Sequence, residues 1–134
     1  MAYFRCGSGG AENPVLLWTN SNPTNAFGNQ TISLDLSNYE AVAISFGKGV
    51  YWGADDQQIR THIFKKINDE QGMVLDGGYS GATARGSLVR YFTMSDSGIT
   101  FTKNYAGYPS ISDGYGNICI PIYIYGYKKQ NFPT

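Results

Sequence analysis

Residues 118–127 read Ile-Cys-Ile-Pro-Ile-Tyr-Ile-Tyr-Gly-Tyr, and no other stretch restricts the fold of this chain so tightly. Isoleucine occupies Ile118, Ile120, Ile122 and Ile124, and tyrosine occupies Tyr123, Tyr125 and Tyr127. Side chains alternate across a pleated strand, so the pattern predicts one long β-strand with an aliphatic face on the core and an aromatic face turned elsewhere. That second face needs a partner of its own: another sheet, another subunit or a ligand. Because the three tyrosines sit on a regular element and not on a loop, they are assigned to packing between subunits. Pro121 cannot donate to a ladder, which implies an edge position, a bulge, or an amide directed away from its neighbour.

Shorter segments repeat the same period. Val15 to Thr19 is a short apolar strand, and Asn20 to Asn29 a polar loop around Pro23 and Gly28. Thr31 to Leu36 places Ile32, Leu34 and Leu36 on one side. Ala41 to Phe46 does the same with Val42, Ile44 and Phe46, and the short turn between them predicts a hairpin or neighbouring strands. Further strands are expected at 59–67, 73–75, 88–94 and 99–102, the last with the alternation of a solvated edge. Gly77 to Gly86 and Asn104 to Asn117 read as long loops. The sum is about eight or nine strands with turns every eight to twelve residues, a spacing that predicts a single-domain, all-β antiparallel sandwich or jelly roll over 14–134. Residues 1–13, closing on Gly7-Ser8-Gly9-Gly10, read as a flexible lead-in.

Composition narrows the function classes. The 134 residues include ten basic and ten acidic side chains, a formal net charge of zero. No basic cluster exceeds a Lys-Lys pair, so neither nucleic acid nor an anionic membrane is an expected partner. The start lacks the apolar core of a signal peptide, and no run is long enough to span a bilayer, which predicts synthesis in the cytoplasm without a leader. Cys6 and Cys119 are the two cysteines, and reduced thiols are the default. Eleven tyrosines and 17 glycines describe aromatic strands joined by turns. Tyrosine is favoured in binding loops, though it also simply suits half-buried strands.

No catalytic constellation emerges. His62 is the single histidine, no nucleophile-elbow motif accompanies it, and zinc has no natural ligand set. Asp55 and Asp56 are adjacent, so they diverge in an extended chain and do not form a calcium loop. The spacing of Gly81 and Gly86 suggests a phosphate loop, but Ser87 stands where lysine is required. No cofactor is therefore expected. What remains is a set of loop aromatics, Tyr51, Trp52, Tyr79, Tyr105, Tyr108 and Tyr115, interleaved with Asp55, Asp56, Asn104, Asp113 and Asn117. An aromatic platform beside carboxylates suits a sugar, whose apolar ring face stacks while its hydroxyls hydrogen-bond. The plainer account is that these rings cover loop bases or fill a subunit interface.

The segments Leu17-Trp18-Thr19-Asn20-Ser21-Asn22-Pro23-Thr24, Phe27, Gln30 to Tyr39, Arg90 with Gly98-Ile99-Thr100-Phe101, and Cys119 to Lys128 together resemble the C-terminal modules of tail-fibre and minor structural proteins in phages and prophages of gut Firmicutes. The resemblance runs over most of 16–128 and rests chiefly on core and turn residues. It implies a non-catalytic virion module, homotrimeric, lying near a fibre tip among other virion proteins and touching the host cell; joined to the loop aromatics, it makes a host-surface glycan the expected ligand. A purely structural assembly protein, a bacterial lectin-like module, and a hydrolase using the Asp55, Asp56 or Asp113 loops are the alternatives.

Overall fold

In the computed structural model of the chain, which describes residues 14–76, 79–80, 83–84, 87–106, 111–112 and 116–129, alternation decides which side of each strand is buried. Eleven strands follow one another: β1 (Val15–Thr19), β2 (Thr31–Ser33), β3 (Tyr39–Gly49), β4 (Arg60–Lys65), β5 (Gln71–Asp76), β6 (Tyr79–Ser80), β7 (Thr83–Ala84), β8 (Ser87–Ser95), β9 (Gly98–Ala106), β10 (Ile111–Ser112) and β11 (Ile118–Lys128). A 3₁₀ turn, Ala54–Asp56, interrupts the β3–β4 connection.

The strands form two antiparallel sheets packed face to face. One has the order β1-β11-β3-β4; in the other, β5, β8 and β9 are neighbours, and β2 and β10 share the far edge of β9. The result is a β-sandwich of eight strand positions, with β6 and β7 as a small separate hairpin between β5 and β8. The expected all-β sandwich is the fold observed. The lead-in at 1–13 lies outside the described residues.

Between the sheets, Val42, Ile44 and Phe46 of β3 meet Leu88, Phe92 and Met94 of β8 and Ile99 and Phe101 of β9, all essentially inaccessible. The Phe64 and Phe92 rings pack edge to face at 4.7 Å, and Phe46 stacks near Phe92 at 6.3 Å. Burying each such side chain contributes about 1.5–3 kcal/mol, so this layer supplies most of the driving force.

Three expectations are corrected. The segments at 31–36 and 41–46 do not form a hairpin: β2 pairs with β9, whereas β3 lies between β11 and β4 in the opposite sheet. The polypeptide crosses the sandwich between them, held where Leu34 N and Leu36 N donate to Ser97 O and Asp96 O. Strand β9 is not an edge. Its outward threonines mimic one because the sheet's outer face is open, while Ile99 and Phe101 are buried. The strand also continues through Asn104, Tyr105 and Ala106, where a loop was expected.

The third correction concerns β11. All four isoleucines are buried, but they do not share one face. The register with β3 slips between Pro121 and Tyr123. Ile124 then lies opposite Ile44 in the core, while the end of Ile122 lies over Gly47 and beside Gln57 on the side away from Phe46. A bulge of this kind places one extra residue in the strand and shifts its phase. Pro121 sits at that bulge, beyond the reach of β1, and Asn20 Nδ2 donates to its carbonyl at 2.9 Å. Of the three roles open to this proline, the bulge is the one realised.

A charged side chain lies inside the core. Alternation along β8 carries Arg90 inward with Leu88, Phe92 and Met94, and it is fully buried. Its Nε donates to Cys119 O at 3.2 Å, and its Nη2 donates to Ile118 O at 3.0 Å and to Gly116 O at 3.5 Å. The guanidinium carbon stands 5.8 Å from the centre of the Phe27 ring. Cys119 adopts a left-handed φ of 49°, uncommon for a residue with a side chain, and its carbonyl is one of those the arginine holds. Replacing Arg90 with Met removes the guanidinium donors from the Ile118 and Cys119 carbonyls, while Gly116 O keeps the Phe27 amide at 2.9 Å, and most of the volume is retained. Urea denaturation of Arg90→Met should show a loss of about 3 kcal/mol or more. An unchanged midpoint would show that the clamp is dispensable.

Candidate functional site

Two sheet faces and one loop carry the residues of interest. On the first sheet, cross-strand partners share a face, and the register aligns Leu16, Tyr125, Ala43 and Ile63 in one row across all four strands. Ala43 in the middle is buried, whereas Leu16 and Ile63 at the two ends are 52% and 41% exposed. The neighbouring rows are Thr19, Tyr123, Ser45 and Thr61, and then Tyr127, Ala41 and Lys65. Ser45 and Thr61 share a hydroxyl hydrogen bond at 2.7 Å. The Tyr123 and Tyr125 rings are 6.1 Å apart and tilted, and all three tyrosines are half-buried beside the small residues of β3. Lys65 is the single charged residue in these rows. The three tyrosines assigned to packing thus share one continuous outer face.

The outer face of the second sheet differs in chemistry. Val74, Val89 and Tyr105 form one row, Gly72, Tyr91 and Lys103 the next, and Thr93, Thr100 and Thr31 a third. Tyr91 and Tyr105 meet edge to face at 5.9 Å. Lys103 Nζ lies 5.2 Å from the Tyr91 ring centre and 3.4 Å from Glu70 Oε2.

The loop between β3 and β4 is organised by Gln57, which sequence reading passed over. Its Nε2 donates to Gly49 O at 2.8 Å, Trp52 O at 2.7 Å and Gly53 O at 3.2 Å, and its Oε1 accepts from Gly49 N at 3.0 Å. This network holds Tyr51 44% exposed and folds Trp52 down to 6%. Tyr51, Asp55 and Asp56 are each exposed on this loop, whereas Trp52 is part of the core cluster and does not offer a ring face to a ligand. Asn117 Nδ2 donates to Tyr51 Oη at 3.4 Å.

Tyr105 is on the second sheet and not in a loop, apart from Tyr51. Tyr79 lies on β6. Tyr108, Asp113 and Tyr115 lie outside the described residues. The six-ring platform is thus not assembled from the residues the structure describes. Tyr91 and Lys103 were missed: Tyr91 sits on the outward period of β8, whereas Lys103 shares the inward period of Ile99 and Phe101 and turns outward only because the register with β8 shifts at Thr102.

Among the described residues no group of three metal-ligating side chains occurs, and no helix is long and apolar enough to cross a membrane. A shallow depression of about 460 Å³ is lined by Ser33, Leu34, Asp35, Asp96 and Ser97. Beside it, Lys66 Nζ donates to Leu36 O and pairs with Asp96. The Ser37 hydroxyl and amide donate to Asp35 and hold its carboxyl below the usual range. Cys119 is at the opposite extreme: burial pushes its thiol up to about 12, against a smaller opposing pull from Arg90.

Compared with known proteins, the chain matches no family model, no curated protein and no solved structure.

Two outcomes follow from these burials. Trp52→Ala should cost about 3–5 kcal/mol in chemical denaturation, whereas Trp52→Phe should be nearly neutral, because the shielded indole Nε1 has no hydrogen-bond partner among the described residues. Equal stability for the alanine variant would place the ring at the surface. In a Cys6→Ser background, the Cys119 thiol should resist a disulfide reagent at pH 8 and react only at the rate of unfolding. The raised thiol also gives stability that is complete below about pH 9 and declines as pH rises towards 12.

Proposed function

We propose that this chain is a non-catalytic β-sandwich module of a phage or prophage particle, which associates with copies of itself through the tyrosine face of its first sheet and meets a host-surface glycan with the surfaces left outside that contact. The observation that carries the reading is the apolar row Leu16, Tyr125, Ala43 and Ile63, which spans the whole sheet and leaves its aliphatic ends exposed. Contiguous apolar surface rimmed by polar residues marks an interaction site, and interface cores are enriched in tyrosine and depleted of charge. With Lys65 as the single charge in those rows, copies meet without repulsion and without a desolvated ion pair.

The particle context rests on the sequence resemblance, which covers the same core and turn residues that build the sandwich. A homotrimer fits that context, because three copies of a weak glycan site act together and avidity raises binding by orders of magnitude without new contacts. A purely structural role draws on the same tyrosine face with no ligand at all.

Light scattering after size exclusion tests the assembly. The expected mass is three times the 14.7 kDa of one chain. Tyr125→Asp, on the outer face, should shift the protein to monomer while lowering its melting temperature little. A wild-type monomer at micromolar concentration would sink the assembly reading.

A further inference from the structure

The outer face of the second sheet brings two aromatic rings together with an ion pair and a row of threonines. We infer that it is a saccharide platform, occupied by a neutral, extended oligosaccharide lying along β8 and β9. The inference rests on the glycan part of the function proposed above and assigns that ligand to a site built from Tyr91, Tyr105, Lys103, Glu70 and Val74.

Chemistry separates this face from the tyrosine face opposite. Val74 is 63% exposed, the most exposed of the large apolar residues described, and its row leads through Val89 to Tyr105. Tyr105 stands nearly perpendicular to Tyr91, at 80°, so the two rings present surfaces in different directions. The Tyr91 ring covers Gly72, where a Cβ would come within 3.0 Å of it, so bare backbone lets the aromatic lie low on the sheet. Lys103 lies over the Tyr91 ring, so the apolar strip left for the hydrogen-bearing face of a pyranose is Tyr105 and the row that runs from it through Val89 to the exposed Val74.

Polar groups border that strip at hydrogen-bonding height. Lys103 and Glu70 form an ion pair whose two side chains are each more than 40% exposed, and Thr102 Oγ1 is 3.5 Å from the same carboxylate. Further along, Thr31 and Thr100 share a hydroxyl hydrogen bond at 2.9 Å, with Thr93 in the same row. From the Val89 row to the Thr93 row the strip runs about 13 Å, at about 3.3 Å per residue, room for two or three sugar rings.

The charges on this strip cancel, so it has no preference for an anion, and a neutral polyhydroxylated chain can use both members of the pair. A protein partner is the poorer fit, because burying the Lys103–Glu70 pair and the threonine hydroxyls under a protein surface would strip their water without replacing it. Sugar hydroxyls replace that water one for one.

The test is a titration of isotope-labelled full-length protein with three neutral hexasaccharides, cellohexaose, laminarihexaose and chitohexaose, followed by amide chemical shifts, with heparin as the anionic control. At least one neutral probe should shift the amides of Val74, Val89, Tyr91, Lys103 and Tyr105 at millimolar concentration, and heparin should not. Tyr105→Ala should weaken that binding about tenfold, the worth of one aromatic contact. Val74→Asp, on a largely exposed site, should weaken it with an unchanged melting temperature, so the result does not depend on the tyrosine variant folding. Shifts confined to the loop around Tyr51, Asp55 and Asp56 would overturn the platform while leaving glycan recognition intact. No shift with any neutral probe would overturn both.

Discussion

The Arg90 guanidinium joins the two sheets from the inside. It leaves β8 in one sheet and donates to the carbonyls of Gly116, Ile118 and Cys119 at the start of β11 in the other. A buried cation is costly unless its donors are satisfied, and a buried irregular carbonyl is costly unless it finds a donor. Each solves the other's difficulty. The entry to β11 departs from ideal geometry, with Cys119 left-handed and a bulge at Ile122, and a regular ladder could not satisfy all its carbonyls. Through this clamp the strand with the strongest sequence signature is fixed in place. β11 is flanked by β1 and β3, so the position of the whole first sheet follows from it.

Fixing β11 also sets what faces outward. The slip at Ile122 brings Ile124 opposite Ile44 and Tyr125 opposite Ala43. Without it, the tyrosines would be one residue out of phase and would turn into the core, since a single-residue shift exchanges the two faces of a strand. The irregular entry is thus the reason the first sheet shows an aromatic face with Lys65 as the one charge in its rows. The second sheet has its own shift, between Tyr91 and Phe92 of β8, and Tyr91 and Lys103 lie on the outward side of it. One face is suited to a like surface and the other to a hydroxyl-rich ligand. The surfaces proposed for assembly and for ligand lie on opposite sheets, so they do not compete for area.

Much of the core was legible. Val42, Ile44 and Phe46, and likewise Ile32 and Leu36, are buried as their alternation requires. Period two is a local property, set by backbone stereochemistry, and survives whatever the strand pairs with. Pairing is not local. The hairpin expected of 31–36 and 41–46 failed because the connecting residues hydrogen-bond to the β8–β9 turn and carry the chain across the sandwich. The burial of Trp52 was equally hidden, since it depends on Gln57 satisfying four backbone groups of one loop, and glutamine carries no sequence pattern that announces such a role. Arg90 was legible in part: it shares its period with Leu88 and Phe92, yet its charge argues for the surface.

The sequence by itself determined that this chain is an all-β sandwich or jelly roll, which residues of its regular strands turn inward, and that β11 carries an aromatic face in need of a partner. Those follow from side-chain alternation and turn chemistry, both short in range. Only the tertiary structure decided that Tyr105 stands beside Tyr91 and Lys103 instead of Tyr51, that Leu16 and Ile63 complete a row with Tyr125, and that an arginine belongs in the core. Each of these depends on register between strands far apart in the chain, and register is settled by the packing of both sheets together.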